Sequence, residues 1–355
     1  MGNSQYLLTV WSGCTCLPNP HGFIKEDAEH RSVAATELVK AEAFTSKKYG
    51  CEPEHRSIPE LIERGVVVID KPKGPTSHQV TLWVKDILGA RKAAHVGTLD
   101  PKVTGVLPIL LGKATKLSGL LAGEKEYVCL MRLHKKVEPS LIEKVCREFV
   151  GSIYQRPPLK SAVKRRIRVR KIYSLKILEV EGKEVLFKVR CEAGTYIRML
   201  CHHIGLALGV GAHMFQLRRT RAGIFSEDDA VTLHDLKDAY VFYEEGDESF
   251  LRRILMPMER AAHELPYVVV KDTAVDAICH GADLAAPGIV RLDRRINAGD
   301  AIIVLTLKGE AVAVGEAKLD AIEMLRAEKG ICVETKKVLM EPGTYPRCWG
   351  RAKLS

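Results

Sequence analysis

His95-Val96-Gly97-Thr98-Leu99-Asp100-Pro101-Lys102-Val103-Thr104-Gly105 sets one carboxylate between an apolar residue and a proline, in a stretch punctuated by two glycines. Gly97 and Gly105 open backbone conformations that a Cβ would close. Pro101 fixes its own φ, donates no hydrogen bond and pushes Asp100 toward extended geometry. The stretch reads as a stiff loop that presents the Asp100 carboxylate.

Regular elements are legible on both sides of this loop. Val66 to Ile69 is a short β-branched run ending at Lys71-Pro72, which predicts a buried strand. Ser77 is expected to cap a helix with Val80, Trp83, Val84, Ile87 and Leu88 on its apolar face. Tyr127 to Leu133 reads as a strand and Leu141 to Val150 as a helix. Ile172 to Val180 and Val185 to Cys191 flank Glu181-Gly182-Lys183, a hairpin pattern, with Val185, Phe187, Val189 and Cys191 alternating toward a core. Ile197, Leu200, Cys201, Ile204 and Leu208 form another helical stripe, stopped by Gly209. This mixture predicts an α+β domain with a mixed, largely antiparallel sheet.

Beyond Leu265-Pro266 the pattern changes to short strands: Tyr267 to Val270, Ile289 to Leu292, Ala301 to Leu307 and Ala311 to Lys318. Asn297-Ala298-Gly299-Asp300 and Lys308-Gly309-Glu310 supply turns, so a small β-barrel is expected. The division predicted is an extension over 1–50, with 1–30 expected to be poorly ordered, an α+β domain over 51–260 and a second domain over 261–345.

The 355 residues are 46% hydrophobic, enough for sizeable cores, and the net charge of +10 favours an anionic partner such as nucleic acid. From Arg156 to Lys171 there are eight Lys or Arg residues and no acid, Lys164, Arg165 and Arg166 among them, and Arg218, Arg219 and Arg221 form a second cluster. Ten cysteines without a CxxC pair indicate neither a zinc ribbon nor a disulfide framework, and reduced thiols fit a cytoplasmic protein. Cys201-His202-His203 is read as helix rather than metal cluster, because adjacent helical residues point apart. No run reaches the roughly 18 apolar residues of a membrane span. Leu7 to Cys14 lacks the basic flank and apolar length of a lipoprotein signal. Gly112-Lys113-Ala114-Thr115 and Gly209-Val210-Gly211 fail the phosphate-loop and dinucleotide spacings, so no nucleotide cofactor is expected.

The loop of Asp100 resembles the catalytic motif of the pseudouridine synthases, in the branch that holds the bacterial tRNA Ψ55 synthase and the dyskerin-type enzymes. Gly65 to His78 resembles the same family's first motif, Lys125-Glu126-Tyr127-Val128 its tyrosine motif, and Ala193-Gly194-Thr195-Tyr196-Ile197-Arg198 its arginine motif. Gln155-Arg156-Pro157-Pro158, Leu217-Arg218-Arg219-Thr220-Arg221 and Gly343-Thr344-Tyr345-Pro346 are similar to dyskerin-like members. Cys279 to Leu284 resembles the PUA domain that follows the catalytic domain there. No Lys-rich tail of the eukaryotic kind is seen, so the resemblance is to the archaeal type. Val96 and Lys135-Lys136 depart from the usual pattern.

The resemblance implies an RNA pseudouridine synthase with Asp100 as its catalytic carboxylate, acting as nucleophile or as base, and with no metal or cofactor. Arg198 would hold that carboxylate, Tyr127 would stack on the target uracil, and Tyr196 and Leu217 would line the pocket. Lys164, Arg165, Arg166, Arg218 and Arg219 would follow the RNA backbone, and Lys71 and Gly97 would support the loops. The implied substrates are tRNA uridine 55 and/or rRNA uridines chosen by an H/ACA guide RNA, in the second case with small partner proteins. The alternative is a non-catalytic RNA-binding scaffold. Intact Asp100, Tyr127 and Arg198 argue against it.

Overall fold

The structure, a computed structural model, describes residues 37–121, 123–157 and 166–348. The expected disorder of 1–30, and Lys164 and Arg165 of the basic run, lie outside the described residues. In chain order come β1 (Glu37–Val39), α1 (Ile58–Arg64), β2 (Gly65–Lys71), α2 (Ser77–Ile87), β3 (Ala93–His95), β4 (Thr104–Leu111), β5 (Lys125–Leu133), α3 (Pro139–Glu148), β6 (Gly151–Gln155), β7 (Arg168–Glu181) and β8 (Glu184–Cys191). They are followed by α4 (Ile197–Ala207), β9 (Ala212–Ala222), β10 (Phe225–Ser226), α5 (Leu233–Glu244), α6 (Ser249–Ile254), β11 (Met256–Pro257) and α7 (Met258–Ala262). The remainder holds β12 (Tyr267–Val270), α8 (Asp272–Cys279), β13 (Leu284–Ala285), β14 (Ile289–Asp293), β15 (Ala301–Leu305), β16 (Ala311–Ala317), α9 (Ala321–Arg326) and β17 (Ile331–Val338).

A ten-stranded sheet runs β11-β2-β4-β9-β5-β8-β7-β6, with β3 on β4 and β10 on β9. Its ladders are antiparallel except where Thr104 and Gly105 of β4 pair in parallel with Arg218 and Arg219 of β9. Alternation explains which face is covered. On β5, Lys125, Tyr127, Cys129, Met131 and Leu133 are buried, and the residues between them are half-buried. The predicted alternation on β8 holds, and its four apolar residues join Leu200, Cys201 and Ile204 of α4 in one core. On α2 the buried apolar residues are Val80 and Val84, with Leu88 just after the helix. Trp83 departs from the expected stripe and is exposed, because the i, i+4, i+8 row leaves it at the helix flank.

The helix start also differs from expectation. The N-cap is Thr76, whose hydroxyl accepts from the Gln79 N–H while Gln79 accepts from the Thr76 N–H, a capping box. Ser77 is instead buried one residue inside the helix.

The second sheet runs β1-β14-β12-β15-β16-β17-β13. The segment 38–50 lies along it: Lys40 N–H donates to Val290 O at 2.8 Å, and Lys40 Nζ donates to Met324 O at 2.6 Å. A shared core joins the two sheets through Val66, Val68 and Leu110 on one side and Ile303, Val314 and Leu339 on the other. Beside it, Arg56 makes a two-pronged ion pair with Glu259 at 2.8 Å on each prong, and Glu259 also accepts the Ala311 N–H at 2.8 Å.

Candidate active site

Asp100 and Arg198 meet at the surface. The Arg198 Nη2 group forms an ion pair with Asp100 Oδ2, and the two side chains keep 47% and 52% of their surface exposed. They arrive from different elements. Asp100 comes from the β3–β4 loop and Arg198 from the first turn of α4. A cation in the first turn of a helix opposes the helix dipole, so Arg198 depends on an outside anion, and Asp100 supplies it. The carboxylate in turn is held and kept reachable by solvent.

The residues on either side of Asp100 are pinned through their backbones. Ser77 Oγ donates to Leu99 O at 2.9 Å and accepts from Leu99 N–H at 2.8 Å. The buried Lys71 ammonium donates to Pro72 O at 2.8 Å, Val103 O at 2.9 Å and Pro101 O at 3.3 Å, and Gly74 N–H donates to Pro101 O at 2.9 Å. Three carbonyls offset the cost of burying that amine, whose pKa is pushed down by the loss of water. Gly97 takes φ of 72°, the left-handed region. Gly105 has no room for a side chain: a Cβ there would lie 2.1 Å from Arg219 O across the parallel ladder.

A histidine stiffens the loop entrance. Thr81 Oγ donates to Ser77 O at 2.8 Å, which spends its only proton. His95 Nδ1, 3.1 Å from Thr81 Oγ, is therefore the donor there, and His95 Nε2 accepts from the Thr98 hydroxyl at 3.1 Å. Burial, with His78 and Arg219 nearby, lowers the His95 pKa and favours this neutral form.

Beneath the loop the structure corrects two expectations. Arg219 does not face solvent as an RNA-backbone residue: it is 1% exposed, with Nε donating to Val106 O at 2.7 Å and Nη2 to Gly97 O at 2.9 Å. The reason is strand alternation, which sends Arg218 and Arg219 to opposite faces of β9. Arg218 lies on the other face, but Asp70 grips it with both oxygens at 2.8 and 3.0 Å and Glu227 pairs with it too, so it is no open phosphate contact either. Tyr127 is buried in the core, its hydroxyl against the Arg219 guanidinium; burial raises its pKa. Leu217 is half-buried against the same core. Tyr196 is half-buried as the N-cap of α4, its N–H donating to Gln155 Oε1 at 2.9 Å and its C=O accepting from Gln155 Nε2 at 3.1 Å. Arg166 is exposed at the foot of the basic run.

Residue type and spacing do not by themselves point to these contacts of Ser77, Gln155, Lys125 and Asp70. The string Thr76-Ser77-His78-Gln79 does carry a capping-box signal that places Thr76, not Ser77, at the cap. Lys125 is buried on the Tyr127 face of β5, and burial beside Arg219 lowers its pKa to about 8. Among the described residues, no group of three or more His, Cys, Asp or Glu is placed to hold a metal ion, and no helix is long and apolar enough to cross a membrane.

Asp100, on the loop before β4, is thus an exposed carboxylate gripped by an arginine from the first turn of α4. Models of known families match nearly the whole described chain: a DKCLD domain over 34–81, the TruB family pseudouridylate synthase N-terminal domain over 85–140 and 134–197, the tRNA pseudouridylate synthase B C-terminal domain over 198–263, and a PUA domain over 266–339. The probable tRNA pseudouridine synthase B of Methanopyrus kandleri is 61% identical over 315 residues, 88% of this chain and 93% of that one. The protein of the same name from Methanosarcina acetivorans is 57% identical over 325 residues, 91% and 96% of the two chains. Among solved structures, a chain of a Cbf5–Nop10–Gar1 complex matches with a TM-score of 0.84 and 53% identity, over 88% of this chain and 96% of that one. A chain of an H/ACA RNP bound to a substrate RNA containing 2'-deoxyuridine matches with 0.83 and 51%, over 88% and 97%. This chain belongs to the TruB-type pseudouridine synthases, in the archaeal dyskerin-like branch that joins DKCLD, catalytic and PUA domains. It is accordingly an isomerase acting on uridine in RNA.

Proposed function

We propose that Asp100 is the catalytic carboxylate and that the substrates are uridine 55 of tRNA and/or rRNA uridines chosen by an H/ACA guide RNA. The observation that carries this is the Asp100–Arg198 pair, exposed on a loop whose backbone is pinned on both sides of the carboxylate. The net reaction breaks the N1–C1' bond of uridine and forms a C5–C1' bond. The C5 proton leaves and N1 gains one, so no redox equivalent is consumed. The Asp100 carboxylate acts on the sugar, as nucleophile at C1' or as base for a sugar proton. Arg198 pairs with it and aims it. Tyr127, beneath the Asp100 loop, would stack its ring on the uracil, and Tyr196 and Leu217 would line the pocket.

Lys164, Arg165 and Arg166 carry the RNA backbone in this reading, since Arg218 and Arg219 are engaged within the protein. The catalytic domain spans about 51–260 and the PUA domain about 261–345, the latter holding an RNA end or guide element. The relatives of the solved complexes support small partner proteins docking on the catalytic domain, and the protein would work in the cytoplasm. The test is tritium release from RNA labelled at uridine C5. Asp100→Asn keeps the shape and removes the anion, so the single-turnover rate should fall by about 10⁶ while RNA binding persists. Measurable release by the Asn variant would end the assignment.

A further inference from the structure

The two side chains that meet at the cleft are each aimed by a buried neutral group that holds the backbone just before them. Ser77, 1% exposed, closes a two-bond ring on Leu99, the residue preceding Asp100. Gln155, 2% exposed, closes the same kind of ring on Tyr196, two residues before Arg198. In each ring one side chain accepts the residue's N–H and donates to its C=O, as a neighbouring strand would. Leu99 lies in the loop between β3 and β4, outside any strand ladder, so Ser77 takes the place of a ladder partner. The Tyr196 C=O also accepts from the Met199 and Leu200 N–H groups at 3.0 Å, so Gln155 joins the first turn of α4 where its hydrogen bonds begin.

We propose that Ser77 and Gln155 are positioning residues for the reaction: Ser77 sets the direction of the Asp100 carboxylate and Gln155 that of the Arg198 fork. This rests on the assignment of Asp100 and Arg198 above. Neither side chain touches the reacting atoms. Their effect falls on the rate of the bound complex, because an ångström of misplacement at the reacting groups costs rate more than affinity. Gln155 also ends β6, immediately before Arg156 and Pro157 and the basic run. The same amide therefore fixes the root of the RNA-facing segment against the start of α4.

The experiment uses the full chain and an unmodified tRNA transcript tritiated at uridine C5, with enzyme in excess. Ser77→Ala and Gln155→Met are expected to slow the single-turnover rate by about 10- to 100-fold and to change the RNA dissociation constant by less than about threefold. In an Arg198→Ala background Gln155→Met should add nothing, because its target is gone, whereas Ser77→Ala should still slow the reaction. Gln155→Glu gives a signature that a purely structural role would not. Its protonated carboxyl can accept and donate like the amide, so its rate relative to the parent should recover as pH falls. Ser77→Cys, a weaker donor of similar size, should fall between parent and Ala. Parental rates in both variants, an undiminished Gln155→Met effect without Arg198, or a pH-independent Gln155→Glu ratio would overturn the proposal. If Met or Ala variants fail to fold, the Glu and Cys variants decide it by the same criteria. No tritium release by the parent would overturn the underlying assignment as well, and that result is distinct from a parent that reacts alongside unaffected variants.

Discussion

The cleft and the junction of the two sheets each contain an arginine gripping a carboxylate, and the fold treats them oppositely. Asp100–Arg198 stays about half exposed, and the burial falls one layer down, on Lys71, Ser77, Gln155 and Arg219. Arg56–Glu259 is itself buried, with the Arg56 side chain wholly out of solvent and Glu259 also capping the Ala311 N–H. A carboxylate proposed to act on a substrate stays open to it, and at Asp100 the holding contacts fall on the backbone that carries it. A carboxylate that only joins elements can be sealed in, where losing its partner is expensive.

That contrast can be broken most forcefully at the junction. Arg56→Ala leaves the largely buried Glu259 without its counter-cation, and should cost about 3–5 kcal/mol of unfolding free energy in a denaturant titration. A loss below about 1 kcal/mol would put this pair in the same category as an exposed one.

Lys125 sharpens the comparison, because it is a buried cation near the cleft whose pKa has fallen to about 8. Below that pH the folded state carries a desolvated charge. Between about 8 and the ordinary lysine value of 10.5 the unfolded chain binds the proton and the folded one does not, so this group makes stability rise with pH across that window. Lys125→Met should therefore be more stable than the parent by on the order of 3 kcal/mol at pH 7, with the gap closing toward pH 10. Equal stability at both pH values would show that the amine is hydrated in place.

Tyr127 stands on the border between the two treatments. If it stacks on uracil, Tyr127→Phe should keep RNA reaction and binding, and Tyr127→Ala should lose about 1–3 kcal/mol of binding. Equal behaviour of the Phe and Ala variants in RNA binding, read beside their unfolding midpoints, would assign the ring to the core alone. The smallest effect is expected outside the cleft. Lys164→Ala, Arg165→Ala and Arg166→Ala combined should flatten the slope of log binding constant against log salt, by about 0.7–0.9 for every phosphate that is no longer neutralised. An unchanged slope would make the run a solvated face.

Much of this was legible in the sequence where periodicity and chemistry agreed. The β8 alternation, the α4 stripe and the Asp100 loop each follow from side-chain type and spacing. The arginines of Leu217 to Arg221 mislead because they cluster along the chain, whereas on a strand consecutive side chains face opposite ways. Ser77 misleads because a hydroxyl before an apolar run fits a cap, and only the Gln79 partner favours Thr76. Gln155 and Lys125 leave little signal. An amide that bonds a backbone 41 residues away, or an amine buried by a neighbouring strand, is fixed by tertiary pairing and not by local pattern.

The segment 38–50 carries a consequence for synthesis. Lys40 bonds a carbonyl 284 residues further along, and its neighbours lie on a strand made from 289 onward. At ~5–20 residues per second, the ribosome takes on the order of 15–60 s to deliver that partner. Until 289–293 is made, residues 38–50 have no strand of the second sheet to join, whereas the ten-stranded sheet has all of its own strands once 256–257 is made. The earliest stretch of the described chain is thus among the last to find its place, and the second sheet is completed only when late and early segments meet.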